Sequence, residues 1–345
     1  MQEYPKVTVI TATYNLIKEG REKFFRQCVE SVYKQTYPNI EHLIIDGNSI
    51  DGTQNILKEY VEKYGISYIS EPDNGMWDAM NKGGNYATGE YLIYLNSDDY
   101  YFSHTIIEDC VKKIISTNAD YVYGDTYTLD ENTKKKQYNL SLPIECFLYH
   151  QPFNHEALMC KKSVFVSLGG YDVGYKTSID YAFIIKLILN DCKHSYLPKG
   201  IIVSRPGGAT VTKDLKFTQI VLDTVSQLYL DLYKSFSNYN REDYKTLFVT
   251  KNYSVDFINS LLAFLIKQNL SNFNYNYCQS FMAVFIEQQK NTSQNPKSKI
   301  QQEVLGIYFL NYFLPILKIT KDNYKVKYKI LNMFVLEKEN KGETK

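Results

Sequence analysis

KVTVITATYN (Lys6–Asn15) is an apolar, β-branched run that stops abruptly in polar residues. A second run, IEHLII (Ile40–Ile45), follows after a stretch in which Phe24, Phe25, Cys28, Val29, Val32 and Tyr33 recur at helical spacing and Pro38 lies past the helix end. Continuous apolar runs of this kind read as buried parallel strands. The pattern repeats outward. Gln54–Tyr64 is helical, Ile66–Ser70 a strand, Met76–Ala87 a helix and Tyr91–Leu95 a strand. Thr105–Ile115 is then a helix and Tyr121–Tyr123 a strand. Such alternation predicts an α/β sheet with right-handed crossovers, whose ligands bind at the carboxyl ends of the strands.

The 345-residue chain carries 39 Lys+Arg against 38 Asp+Glu, a balance that argues against a nucleic-acid binder. Its 32 Tyr and 18 Phe against one Trp suit either sugar-facing surfaces or plain packing. None of the six cysteines (28, 110, 146, 160, 192, 278) forms a CxxC pair, which speaks against a zinc ribbon or redox motif. Met1–Lys6 leads into a strand with no signal-peptide core. Leu305–Leu317 is too short for a ~20-residue span and contains Asn311 and Pro315. The expectation is a cytoplasmic protein with reduced thiols.

The character changes near residue 212. Beyond it, Phe217–Ser235, Tyr253–Lys267, Tyr277–Gln289 and Gln301–Leu314 read as helices, and from Asp214 on there are 17 Lys+Arg to 12 Asp+Glu. Two domains are expected, 1–212 and a mostly helical 213–345. The basic tail, with Lys318, Lys321, Lys325, Lys327 and Lys329, reads as a solvated appendage or as a peripheral contact with an anionic membrane surface. Acceptor or oligomer contacts are other uses it could serve.

Four polar constellations fall where chemistry is expected. Asp46 directly follows the second strand and is placed to contact a ligand, whereas Asp51-Gly52 supplies a bend and Thr53 caps the next helix. Gly47–Gly52 has P-loop spacing, but Thr53-Gln54 replaces the Lys-Ser/Thr that reaches phosphates, which excludes a kinase-like NTPase. Asn96-Ser97-Asp98-Asp99 follows the strand Tyr91–Leu95. Adjacent carboxylates there call for a cation, and Mg²⁺ or Mn²⁺ bridging to a diphosphate suits them; the alternative is an Asp-rich turn. In Glu71–Gly83, Met76, Ala79, Met80 and Gly83 form a sheet-facing stripe, while Asp78, Asn81 and Lys82 face outward and Lys82 is available to phosphate. Trp77 covers a nucleoside or sugar, or packs in the core. Thr177 or Ser178 caps the helix Tyr181–Leu189, and Asp180 in its first turn is either a dipole-favoured acid or a general base.

Taken in order, Val7–Asn15, Gln35–Glu41, Ile45–Thr53, Glu71–Lys82, Ala87–Tyr91, Leu95–Asp99, Leu168–Asp172 and Ile179–Tyr181 resemble the family-2 glycosyltransferases of the GT-A fold, over roughly residues 5–212. Within that family the run Glu71–Asp99 is most like enzymes of bacterial capsule, exopolysaccharide and lipopolysaccharide assembly. The resemblance implies an inverting transfer from a nucleotide-diphosphate sugar, UDP favoured by family frequency, to a glycan or lipid-linked acceptor. It implies Thr11, Thr13 and Asp46 at the base with Asp73 nearby, Asp98 at ribose or diphosphate, Asp99 on Mn²⁺ or Mg²⁺, and Asp180 as the base. His155 lies where relatives carry a histidine near acceptor or metal, or is a hydrogen-bonded structural histidine, and Arg205 beside Pro206-Gly207-Gly208 is available to the diphosphate on a moving loop, or is a plain surface arginine. Two departures stand out: Asp46-Gly47 replaces an acidic pair, and Ile179 replaces the acid before the base. A sugar nucleotidyltransferase would open with a Gly-rich, Arg/Lys-bearing loop, which Thr11–Asn15 lacks. A dehydrogenase would need GxGxxG after the first strand. A non-catalytic carbohydrate-binding protein has no need of Asp46, Asp98, Asp99 and Asp180 together.

Overall fold

The computed structural model describes residues 4–148, 151–206, 215–233, 239–250, 260, 263, 266–267, 270–273, 328–330 and 334–336. The first half is the expected alternation: β1 (Val7–Thr13), α1 (Glu22–Tyr33), β2 (Ile40–Asp46), α2 (Thr53–Tyr64), β3 (Ser67–Ser70), α3 (Met76–Tyr86) and β4 (Tyr91–Tyr94). Then come β5 (Tyr100–Tyr101), α4 (Ile106–Thr117), β6 (Tyr121–Leu129), β7 (Lys136–Asn139), β8 (Leu158–Lys161), α5 (Lys162–Ser167), α6 (Ile179–Leu189) and β9 (His194–Ser204). Two helices follow, α7 (Leu215–Tyr233) and α8 (Arg241–Thr250), and a small hairpin, β10 (Tyr328–Ile330) with β11 (Phe334–Leu336).

The strands run in the order β3-β2-β1-β4-β8-β6-β9-β5, with β7 beside β6. The first four are parallel, as their two-sided apolar sequences require, and Val7, Val9, Ile10, Ile44, Ile45, Leu92 and Ile93 are fully or almost fully buried. The other half is mixed. β8 enters antiparallel between β4 and β6, pairing Ile93 with Met159 and Tyr91 with Lys161. That reversal has a consequence for the site: the residues leading into β8 arrive at the carboxyl end of β4.

Each flanking helix buries one stripe. α1 turns Phe25, Cys28, Val29 and Val32 inward, and α4 turns Ile106, Ile107, Cys110, Val111 and Ile114 inward. α3 buries Ala79, Met80, Gly83 and Gly84, while Met76, expected on that stripe, is 43% exposed as the first residue of the helix. A Cβ on Gly83 would run into the Ile10 side chain, so this helix lies closer to the sheet than a side chain would permit. α6 is apolar almost all round and is accordingly buried.

Two expected caps are made differently. Gly52, at φ +96°, occupies the N-cap of α2, and Asp51 accepts from the Thr53 amide and hydroxyl. Thr53 instead accepts from the Leu16 amide. Ser178 stands at the N-cap of α6 in a left-handed conformation, with no side-chain capping bond.

The chain divides into two compact units, Met1–Lys251 with Phe264–Phe273, and Asn252–Ala263 with Asn274–Lys345. α7 and α8 therefore belong with the sheet, although the composition shifts at 212: Tyr229 of α7 meets the Tyr181 hydroxyl at 3.2 Å, and Tyr175 donates to Asp231 at 3.0 Å. The expected helices beyond residue 273, and nearly all of Tyr253–Lys267, lie outside the described residues. Of the second unit, the hairpin β10–β11 and single helical residues are described. Among the described residues, no helix is long and apolar enough to cross a membrane.

Candidate functional site

The parallel register brings Thr13, Asp46 and Ser70, the last residues of β1, β2 and β3, side by side. Asp46 is fully buried there. It accepts from the Ser49 amide (3.0 Å) and hydroxyl (2.5 Å), the Ser70 hydroxyl (2.6 Å) and the Thr13 hydroxyl (3.4 Å). Both oxygens are thus taken by the chain itself. Asp46, expected to meet a ligand, organises the loop, and Thr13 supports it. Thr11 departs from expectation in the same way: it is buried, its hydroxyl 3.1 Å from His42 Nε2.

What these strand ends expose is a different trio. Tyr14 is 60% exposed, Gly47 has no side chain, and Asp73 enters from the loop after β3. A Cβ on Gly47 would stand 2.6 Å from Asp73 Oδ2 and 3.1 Å from the Tyr14 ring. The Asp73 carboxylate therefore fills the space that the missing second acid of the pair would enter. Asp73 Oδ1 accepts from the Gly75 amide at 2.8 Å. Lys82, expected near phosphate, turns back on its own loop: Nζ donates to the Pro72 carbonyl (2.6 Å) and pairs with Glu71 (3.2 Å) and Asp78 (3.8 Å).

Beyond β4 lie Asp98 and Asp99. Asp98 is ion-paired with Arg21, and the Arg205 guanidinium donates to its carbonyl, to Glu131 (2.7 Å) and to Gln27. That guanidinium lies over Phe24 (4.4 Å) and Tyr100 (5.2 Å), and its side chain is 6% exposed. Arg205 is thus seated beside the acidic pair rather than held out on a loop; Gly207 and Gly208 lie outside the described residues. The Arg205 amide donates to Asp99 Oδ1 at 2.8 Å.

Glu156 completes the acidic group. Its Oε1 accepts from the Asn96 amide at 2.8 Å, and its carboxyl faces Asp99. Burial, then the Asp98 charge, pushes the Asp99 carboxyl up to about 6. Burial and the Asp99 charge raise the Glu156 carboxyl as well, which favours its protonated form beside Asp99. Asp99 and Glu156, buried and crowded by like charge with Asp98 adjacent, are the donor chemistry that a hard divalent cation satisfies. Such cations bind through one or two carboxylates plus substrate phosphates, so the residues fit. Among the described residues no group of three or more His, Cys, Asp or Glu converges as an all-protein metal cage.

The turn that carries Glu156 also carries His155. Asn154 caps this 3₁₀ turn, its side chain accepting from the Glu156 amide at 2.9 Å. The His155 ring packs on Trp77 (centroids 5.2 Å apart) and Tyr171 (6.3 Å), with Nδ1 3.6 Å from Asp180 Oδ2. Gln151 Nε2 donates to the same oxygen at 2.8 Å. Burial raises the Asp180 carboxyl, but His155, Gln151 and the Tyr181 amide outweigh it and leave it below the ordinary carboxylate range. A lowered carboxyl whose side chain stays 20% exposed has the chemistry that a proton acceptor needs. Asp99 and Asp180, 81 positions apart in sequence, thus flank one short turn.

Glu156, Arg21 and Gln151 escape a sequence reading. Glu156 and Gln151 flank His155 without a motif of their own, and Arg21 precedes a helix like any surface arginine.

Residues 8–179 match the family model "Glycosyl transferase family 2". Glycosyltransferase GlyA of Streptococcus pneumoniae serotype 4 is 34% identical over 128 residues, which is 37% of this chain and 18% of GlyA, so the chain spans under a fifth of that relative's length. Among solved structures, S. aureus TarS 1-349 in complex with UDP-GlcNAc superposes with a TM-score of 0.53 at 15% identity, covering 85% of this chain and 93% of that one. The mannosyltransferase PcManGT of Pyrobaculum calidifontis, with GDP-Man and Mn²⁺, gives 0.53 at 16% identity over 90% and 86%. The motif order, the sheet with its acidic residues at the strand ends, and these likenesses lead to one conclusion: the chain belongs to the family-2 glycosyltransferases with the GT-A fold.

Proposed function

We propose that the protein transfers a sugar from a UDP-sugar to a hydroxyl of a glycan or lipid-linked acceptor, with inversion, in surface polysaccharide assembly. The observation that carries this reading is the Asn154–Ala157 turn, which sets the acidic group around Asp99 on one side and ionised Asp180 on the other. A Mg²⁺ or Mn²⁺ ion held by Asp99, with Asp98 nearby, would offset the charge that develops as the diphosphate leaves. Asp180 takes the proton of the attacking hydroxyl, help typically worth ~10²–10⁴ in rate. A single base apart from the leaving-group site suits one displacement with inversion and needs no covalent intermediate. Arg21 and Arg205 supply the fixed positive charge beside Asp98.

Uridine is favoured by family frequency. Asp73 Oδ1 accepts from the Gly75 amide, and Oδ2, beside Gly47, is available to accept from the imide N–H of uracil. TarS is a structural neighbour described with UDP-GlcNAc.

The test is turnover of UDP-GlcNAc, UDP-glucose, UDP-galactose and GDP-mannose with Mn²⁺. Release of UDP is expected from at least one, abolished by EDTA, restored by Mn²⁺ or Mg²⁺, and lost in Asp180→Asn while UDP still raises the melting temperature. Full turnover in EDTA would sink the metal step, and full turnover by Asp180→Asn would remove the base.

A further inference from the structure

We propose that His155 is a positioning residue that orients Asp180 through Nδ1, an inference that rests on the reading of Asp180 as the base. Three observations carry it. The ring is clamped: Trp77 and Tyr171 pack against it, and the Asn154-capped turn fixes its backbone. Nδ1 is directed at Asp180 Oδ2 across 3.6 Å, a separation that closes to a hydrogen bond with a small movement, as catalytic contacts commonly do once substrate is bound. Nε2 is buried and has no hydrogen-bond partner among the described residues.

The third observation argues against a merely structural histidine. Leaving a buried ring nitrogen unpaired is destabilising. A phenyl ring would fill the space against Trp77 and Tyr171 without that cost. What an imidazole adds is a donor toward the carboxylate. An acceptor opposite Nδ1 selects the tautomer with the proton on Nδ1, leaving Nε2 as a bare lone pair. Gln151 holds the same Oδ2 from another direction at 2.8 Å. Two donors on one oxygen stop the carboxyl from rotating, which sets the direction in which it meets the incoming hydroxyl. Misplacement of a reacting group by about 1 Å costs roughly 10²-fold in rate, so the arrangement has catalytic value. The role differs from the metal contact that the sequence suggested, because the residue facing Asp99 is Glu156.

Two measurements on the full chain test this. In the first, ¹⁵N NMR of the imidazoles identifies the His155 signals by their loss in His155→Gln. The wild type should show the Nδ1–H tautomer, reverting to the commoner Nε2–H form in Asp180→Ala. An Nε2–H tautomer in the wild type, or no change in Asp180→Ala, overturns the proposal, and neither result depends on knowing the substrate. The second uses whichever sugar nucleotide turns over. His155→Gln should lower kcat about 10- to 100-fold with donor KM within about twofold, and should add less than about twofold to the loss already caused by Asp180→Asn. Independent, multiplying losses would mean that His155 does not act through Asp180. Should His155→Gln prove unstable by its melting temperature, His155→Asn replaces it in both arms. A wild type that turns over none of the four sugar nucleotides counts against the proposed function, while the tautomer measurement still decides the pairing.

Discussion

On the proposed reading, Gly47 and Asp73 together do what a single acidic side chain would do after β2. Removal of the side chain at 47 opens the space that the Asp73 carboxylate enters. Asp73→Asn is expected to weaken UDP binding about tenfold, the scale of one hydrogen bond to a charged group, with the melting temperature unchanged. An unaltered Kd by calorimetry would take Asp73 out of the base site. His42 makes a pH prediction at the same scale. Burial holds its imidazole down to about 3, so in the folded chain it stays neutral where the unfolded chain, titrating near 6.5, gains a proton. Protons therefore favour the unfolded state, and stability is lost as pH falls from about 6.5 towards 3. At pH 5 the loss is about 2 kcal/mol. Melting curves of His42→Gln should lack that part of the acid slope. A slope identical to the wild type would show His42 is not its source.

At the scale of elements, α3 and the turn before β8 carry most of the site's placement. The glycines of α3 let Trp77 and Asn81 reach Tyr171: Asn81 donates to the Tyr171 carbonyl at 2.7 Å and accepts from its amide at 2.9 Å. Gly83→Val should therefore cost about 1–3 kcal/mol by overpacking against Ile10, measured by urea denaturation. It should also lower turnover, because the shifted helix moves the ring on which His155 rests. α3 itself was legible in the sequence, since Ala79, Met80 and Gly83 recur on one stripe. Exposure of Met76 was not, because a helical period gives a face and not which of its residues are covered. Capping was misjudged for a related reason: Thr53 and Ser178 are good cap residues, but Leu16 claims the Thr53 hydroxyl from 37 positions away.

For the whole molecule, the structural division differs from the compositional one. The sheet unit takes in α7, α8 and a segment that returns to it, where Ser271 donates to Asp191 at 2.6 Å and Phe273 meets Phe147. Truncation after Thr212 would remove Tyr229 and Asp231, the partners of Tyr181 and Tyr175, and is expected to yield insoluble protein or a melting temperature lower by more than about 10 °C. A chain ending after Phe273 should melt within a few degrees of the full-length protein. Equal stability of both truncations would show that α7 and α8 add nothing to the sheet unit.

What the linear order of residues determined is what depends on neighbours in sequence. The first four strands, their helices and the carboxylates at their ends follow from local period and from strand ends marked by polar residues. Asp98, Asp99 and Asp180 could be singled out for that reason. The tertiary structure alone decided which of those groups are spent on the protein and which face outward. Thr11 lies inside β1 and Asp46 at the end of β2, yet both are buried against partners of the protein itself, His42 for Thr11 and Ser49 and Ser70 for Asp46. The pairing of Glu156 with Asp99 and of His155 with Asp180 depends on the antiparallel entry of β8, a choice of strand direction that leaves no mark in a four-residue strand.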